Sequence, residues 1–249
     1  MDKELKQLRA LLEEGVSETV GALEFIRGRV GRNEVVLQKC GIGKVNSAIG
    51  AVEMIHHYKP DIIISTGCAG GASTEMEVGD VIIGTEMVYH DAYCGEQQAF
   101  GQVMGMPARY KANPQLVSMA EQVEHGAGVH EGLIVGGDWF VNSREKMQQI
   151  LDRFPEAVAV DMESTSIAQT CYIYQVPFIS FRVISDVPLK DHQASQYYDF
   201  WDRMADGSFH VTKSFLEKLL RLSVSKDLPV IEGNLQFCIF AVEIVLQAI

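Results

Sequence analysis

The 249-residue sequence lacks most of the features that mark specialised classes of protein. Cysteine is sparse: Cys40, Cys68, Cys94, Cys171 and Cys238 are odd in number and scattered, with no CxxC pair and no zinc-type spacing. That arithmetic argues against a disulfide framework and a structural metal site, and leaves free buried thiols in a reducing compartment as the expected state. Basic residues are few, 21 against 33 acidic ones, for a formal charge of −12. A surface of that sign repels phosphate backbones and anionic lipid heads, so neither nucleic acid nor a membrane is an expected partner, and small molecules remain. No apolar signal core follows the acidic start Met1-Asp2-Lys3-Glu4. The most apolar stretch, 235–249, is interrupted by Glu243 and falls short of the roughly 20 residues that cross a bilayer. A cytoplasmic protein is expected. Internal repeats and Pro- or Ser-rich linkers are also missing, so no domain boundary is marked.

What is present is ordinary globular composition, 47% hydrophobic and 22% charged, in a chain long enough for one large core. Apolar, β-branched runs at 34–38, 61–65, 81–84, 132–135, 157–160 and 177–181 read as strands, several apolar on both alternations and hence covered on both faces. Amphipathic segments alternate with them. Val45, Ala48, Ile49, Val52 and Ile55 fall at helical spacing in 44–58, and further helices are predicted over 143–153, 162–175 and about 196–221. This alternation predicts a single α/β domain with a twisted mixed central sheet flanked by helices. The two ends depart from it. The chain opens on a helical pattern, Leu5, Leu8, Leu11 and Leu12, where a strand is usual. After Pro229 it ends in an apolar tail that either docks as an extra helix or strand or serves as an interaction segment.

Two glycine clusters follow strands. Gly41-Ile42-Gly43-Lys44 is not a phosphate loop: a Walker A pattern needs glycine where Gln38 stands and Ser or Thr where Val45 stands, and a dinucleotide fingerprint needs glycine at Asn46. A tight strand-to-helix turn is the plainer reading. The second cluster, Thr66 to Gly71, places Cys68, Ala69 and Gly70 at the carboxyl end of a buried strand, where a flat ligand can lie against backbone. Carboxylates occupy the same kind of position in Asp161-Met162-Glu163-Ser164 and Ser185-Asp186, with helix capping as the structural alternative. Trp139, Phe140 and Val141 follow a further strand and suit stacking on a planar base, or simply core packing. Tyr89-His90-Asp91 is read chiefly as a hydrogen-bonded structural histidine. The seven histidines show no ligand spacing, and no catalytic metal is expected.

Taken together and in order, Gly41–Val45, Ser65–Gly71, Tyr89–Ala92, Gly137–Asn142, Ala159–Ser164 and Arg182–Val187 resemble the bacterial 5′-methylthioadenosine/S-adenosylhomocysteine nucleosidases of the nucleoside phosphorylase superfamily. The resemblance covers roughly residues 1–221, leaving 222–249 as an apolar extension. It implies a nucleoside phosphorylase-like fold, a homodimer, no metal or organic cofactor, and hydrolysis of the bond between adenine and a 5′-thio-ribose. By motif position, Asp186 would protonate the purine with Ser185 holding it, and Glu163 would accept hydrogen bonds from the ribose hydroxyls. Met162 and Phe140 would pack sugar and base, and the backbone at Val141 would read the adenine edge. Cys68 stands where the family commonly has serine, beside Ala69 and Gly70, and Arg182 would order the acidic site. Ile42 and Tyr197 would line the alkylthio end, and Tyr110 would enter the neighbouring subunit's pocket. Glu4, in a Met-x-x-Glu step, would activate water.

The family's first strand has no counterpart ahead of Met1. Either the chain begins at an internal methionine, or the apolar tail replaces that strand. A phosphorylase would need cationic phosphate contacts and an early arginine-bearing glycine loop, which is absent. Futalosine hydrolase, another purine nucleosidase, or a catalytically impaired ligand-binding paralogue remain as alternatives.

Overall fold

The computed structural model describes residues 2–31, 33–123, 128–191, 196, 199, 200, 213–215, 217 and 236–241. Helix α1 (Asp2–Arg9) leads into an antiparallel meander of β1 (Glu13–Val20), β2 (Leu23–Val30) and β3 (Asn33–Lys39). Then come α2 (Gly43–Tyr58), β4 (Ile62–Gly71), β5 (Val81–Tyr89), the short β6 (Tyr110–Lys111), α3 (Pro114–Glu121), β7 (Val129–Gly136) and α4 (Arg144–Leu151). The remainder is β8 (Ala157–Asp161), α5 (Ser164–Tyr174), β9 (Phe178–Asp186) and β10 (Gln236–Ala241). The strands form one mixed sheet flanked by helices, as the alternating pattern predicts.

Pairing closes part of this sheet on itself. β4 pairs with β9, β9 with β5, β5 with β7, β7 with β8, and β8 returns to β4 through Gly70 and Gly71. Ile64, Ile83, Ile134 and Ile184 on these strands are all fully buried. Strands buried on both faces explain the continuous apolar runs that the sequence shows. Helices α2 and α5 pack against each other outside this ring.

The apolar tail docks as a strand. β10 inserts between β3 and β4, parallel to both, with Phe237 opposite Val35 and Ile62 and Ile239 opposite Leu37 and Ile64. Ile239 is 1% exposed, a core residue. Helix α1 packs on β3, so the first and last described elements share one neighbour. Four elements go beyond the sequence expectation: β1, β2, β6 and α3. β1 is a charged edge strand with most of its residues exposed, so no apolar alternation announces it. Helix α3 is set by its cap: the Asn113 side chain accepts from the N–H groups of Gln115 and Leu116, with Pro114 at the first helical position. Of the helix predicted over about 196–221, most falls outside the described residues. No helix among the described residues is long and apolar enough to cross a membrane.

Candidate active site

The register of the closed ring gathers the sequence-predicted residues on one rim. Gly70 lies opposite both Val160 of β8 and Asp186 of β9, and Gly136 lies opposite Asp161. Beyond those strand ends is a pocket lined by Cys68, Ala69 and Gly70 from β4, Trp139, Phe140 and Val141 after β7, Val160, Asp161 and Met162 from β8, and Ser185 and Asp186 from β9. Ligand sites of α/β sheets form where strands end in this way. Phe200 packs behind the pocket against Cys68 and Val183 and is fully buried.

Asp186 is 5% exposed. The Ser185 hydroxyl donates to its Oδ1 at 2.8 Å and lies 3.3 Å from the Ala69 carbonyl, which fixes the carboxyl group at the rim. Behind it is a wholly buried polar network. Arg182 Nε donates to Asp161 Oδ2 at 2.7 Å, and its other nitrogens donate to the Phe181 carbonyl and to Ser65 Oγ at 2.8 and 2.9 Å. Asp161 also accepts from the N–H and hydroxyl of Ser164 at the start of α5, and the Ser164 hydroxyl is 2.8 Å from Ser180. Asp161 therefore both caps α5 and neutralises Arg182. A buried ion pair persists only when its remaining donors and acceptors are satisfied in this manner.

Glu163 is fully buried one residue before α5. Its Oε1 accepts from the Gly43 N–H at 2.9 Å, and its Oε2 is buried with no hydrogen-bond partner. Burial, then the nearby charge of Asp161, push its carboxyl group from an ordinary 4.5 up to about 8, against the pull of the Gly43 N–H and of Arg182. A carboxyl group raised on folding favours the native state below its unfolded pKa, and that contribution is lost as pH rises through the folded value. Wild-type stability is thus expected to decline between about pH 4.5 and about pH 8 on account of Glu163. Thermal melts against pH check this. The Glu163→Gln variant should melt above the parent at pH 8 and higher, by a margin that shrinks toward pH 5, while losing activity. A pH-independent difference would contradict the assignment.

The remaining sequence-predicted residues are more dispersed. Ile42 is the N-cap of α2 beside Gly43, outside the pocket lining. Tyr110 is 3% exposed, its ring packed against Tyr89 and Tyr172 of its own subunit. Glu4 falls in the first turn of α1, but its side chain lies outside the described residues, as does Tyr197. His90 is buried, yet neither ring nitrogen has a hydrogen-bond partner, contrary to the hydrogen-bonded histidine expected. Burial holds its pKa low, so the ring is neutral. Trp139 and Asp161 are read in the sequence only as parts of candidate ligand-binding segments, and no signal there gives a site role to Val160, Phe200 or the Gly43 N–H.

Comparison with known proteins agrees with this fold. The model of the phosphorylase superfamily matches residues 1–218, so β10 lies beyond the matched part. A 5′-methylthioadenosine/S-adenosylhomocysteine nucleosidase of Bacillus thuringiensis (strain Al Hakam) is 39% identical over 223 residues, covering 88% of this chain and 96% of its own. The crystal structure of the Neisseria meningitidis nucleosidase, in complex with methylthio-immucillin-A, superimposes with a TM-score of 0.82 at 34% identity, covering 87% of this chain and 95% of its own. The S. pneumoniae nucleosidase with the transition-state inhibitor MT-ImmA gives a TM-score of 0.82 at 31% identity, covering 88% and 96%. The chain belongs to the 5′-methylthioadenosine/S-adenosylhomocysteine nucleosidase family of the phosphorylase superfamily.

Proposed function

We propose that this protein hydrolyses the N-glycosidic bond of 5′-methylthioadenosine and S-adenosylhomocysteine, releasing adenine and the 5′-thio-ribose. The observation that carries the reading is Asp186, held by Ser185 at 2.8 Å in a pocket it shares with Phe140, Val141 and Met162. Asp186 gives its proton to a purine ring nitrogen as the C–N bond breaks, and the bonding pair leaves with the base. Water adds to the anomeric carbon, and Glu4 takes the proton that water loses. Each such proton transfer is worth about 10²–10⁴-fold in rate. Glu163 Oε2, buried and accepting no hydrogen bond, has the acceptor capacity that a ribose hydroxyl requires. In its ionised form the Glu163 carboxylate accepts from the ribose hydroxyls and stabilises the cationic sugar of the transition state electrostatically. Cys68 lies at the same wall of the pocket, where a thiol donates more weakly than a serine hydroxyl.

The working unit in this reading is a homodimer. Val45 and Ile49 of α2 and Tyr172, Ile173 and Tyr174 of α5 are large apolar side chains left 40–69% exposed on two helices that pack together. Such a patch favours association with a second copy. Residues 1–221 carry the nucleosidase domain, and the extension 222–249 contributes β10 to its sheet. The four described cysteines are free, which suits the reducing cytoplasm, and the products suit methionine salvage.

A substrate panel tests the reading. Adenine should appear by chromatography from 5′-methylthioadenosine and S-adenosylhomocysteine with no phosphate added, and futalosine should be left intact. Cleavage of futalosine alone, or of none of the three, would contradict it.

A further inference from the structure

We propose that Lys44 and Asp91 are positioning residues of this site: together with Asp138 they form an ionic clasp that ties the turn carrying Trp139, Phe140 and Val141 to the turn whose Gly43 N–H holds Glu163. The assignment of these turns to purine and ribose rests on the nucleosidase reading.

The clasp joins three segments far apart in sequence. Lys44 Nζ donates to Asp91 Oδ2 at 2.8 Å and lies 3.5 Å from Asp138 Oδ2. The Asp138 N–H donates to the same Asp91 oxygen at 2.9 Å, and the Lys44 N–H donates to Asp138 Oδ1 at 2.8 Å. The Lys44 ammonium also lies 5.4 Å from the centre of the Tyr89 ring. Asp91 is the hub. Its side chain is 9% exposed, against 48% for Asp138. Burial alone would raise its pKa, but the Lys44 ammonium and the Asp138 N–H outweigh burial and keep it below the ordinary range, so it is charged at neutral pH. Charge-assisted bonds shielded from water in this way are stronger than exposed ion pairs.

Two glycines let the parts approach. Gly43 has φ +86°, and a Cβ there would sit 2.9 Å from Asp138 Oδ1. A Cβ on Gly137 would meet His90 Nε2 at 2.5 Å and Asp91 Cγ at 2.8 Å. His90 itself packs edge-on against Trp139 at 5.2 Å between centroids, and its N–H donates to the Gly136 carbonyl. The His90-Asp91 pair thus buttresses the 136–139 turn by packing on one side and by charge on the other.

The clasp touches neither Asp186 nor Ser185. Breaking it should loosen the seating of the purine while leaving the proton-transfer step intact once substrate is bound, so the loss falls on KM rather than kcat. Full-length Asp91→Asn, Lys44→Met and the double variant are compared by adenine calorimetry and by steady-state kinetics on 5′-methylthioadenosine. Each single change should raise adenine Kd and KM roughly tenfold with kcat within about threefold of the parent. The double variant should be no worse than the worse single one, because both remove the same interaction. Lys44→Arg, which keeps the charge, should recover most of the affinity. A folded Asp91→Asn protein with Kd and KM within about twofold of the parent overturns the proposal, as do losses that simply add. If Asp91→Asn does not fold, Lys44→Met carries the same expectation at a side chain 30% exposed. A parent that binds adenine but cleaves nothing would sink the hydrolytic reading and leave the clasp to be judged on Kd.

Discussion

Asp186→Asn is expected to lower kcat for adenine release by about 10²–10⁴-fold, the usual worth of a positioned general acid. The substitution is nearly isosteric. Its amide oxygen still accepts from the Ser185 hydroxyl, so the 2.8 Å contact at the rim survives. What disappears is the transferable proton. Without it the purine must leave as an anion, stabilised only by hydrogen bonds that the site makes to it. Stability should change little, because the contact from the Ser185 hydroxyl is kept. Steady-state kinetics paired with a thermal melt decide the matter. Turnover within about fivefold of the parent, in a protein that melts like the parent, would remove Asp186 from the reaction.

The second large effect concerns the fold. Ile239→Asp is expected to destabilise the protein by more than about 3 kcal/mol, and removal of the chain from residue 236 onward to be at least as severe. Ile239 sits at 1% exposure between Leu37 and Ile64, so an aspartate there is a charge with no partner in the apolar centre of a sheet. Deleting β10 also strips β3 and β4 of their shared neighbour and leaves two unpaired strand edges facing each other, a template for aggregation. Since α1 packs on β3, the helix that carries Glu4 loses part of its support. Urea unfolding and gel filtration check this. A truncated protein that stays monodisperse and unfolds at the parent's midpoint would show that the strand is dispensable.

Much of the architecture was readable locally. The six buried runs at 34–38 through 177–181 each became a strand core, because strands covered on both faces must be apolar on both alternations. The motifs ending those runs brought Cys68, Phe140, Met162, Ser185 and Asp186 to one pocket, since strands ending at one rim bring their following turns together. What could not be read was pairing at a distance. The tail's apolarity signalled docking, but its place between β3 and β4 follows from a register with strands nearly 200 residues earlier. Lys44, Asp91 and Asp138 each stood in a quoted motif, yet nothing in the spacing reveals that two carboxylates share one ammonium. β1 escaped because an edge strand protected by Glu13, Glu14 and Glu18 carries no apolar period. The burial of His90 is hidden by the same limit: the glycine and aromatic surfaces against it, Gly137 and Trp139, come 47 and 49 residues further on.

The central claim, that water rather than phosphate takes the sugar, is open to one direct measurement. The protein is incubated with 5′-methylthioadenosine in ¹⁸O-enriched water, with and without phosphate, and the products are weighed by mass spectrometry. The account predicts methylthioribose carrying one heavy oxygen at the anomeric carbon, unlabelled adenine, and a rate indifferent to phosphate. Adenine release that requires phosphate, with a sugar phosphate as co-product, would contradict it.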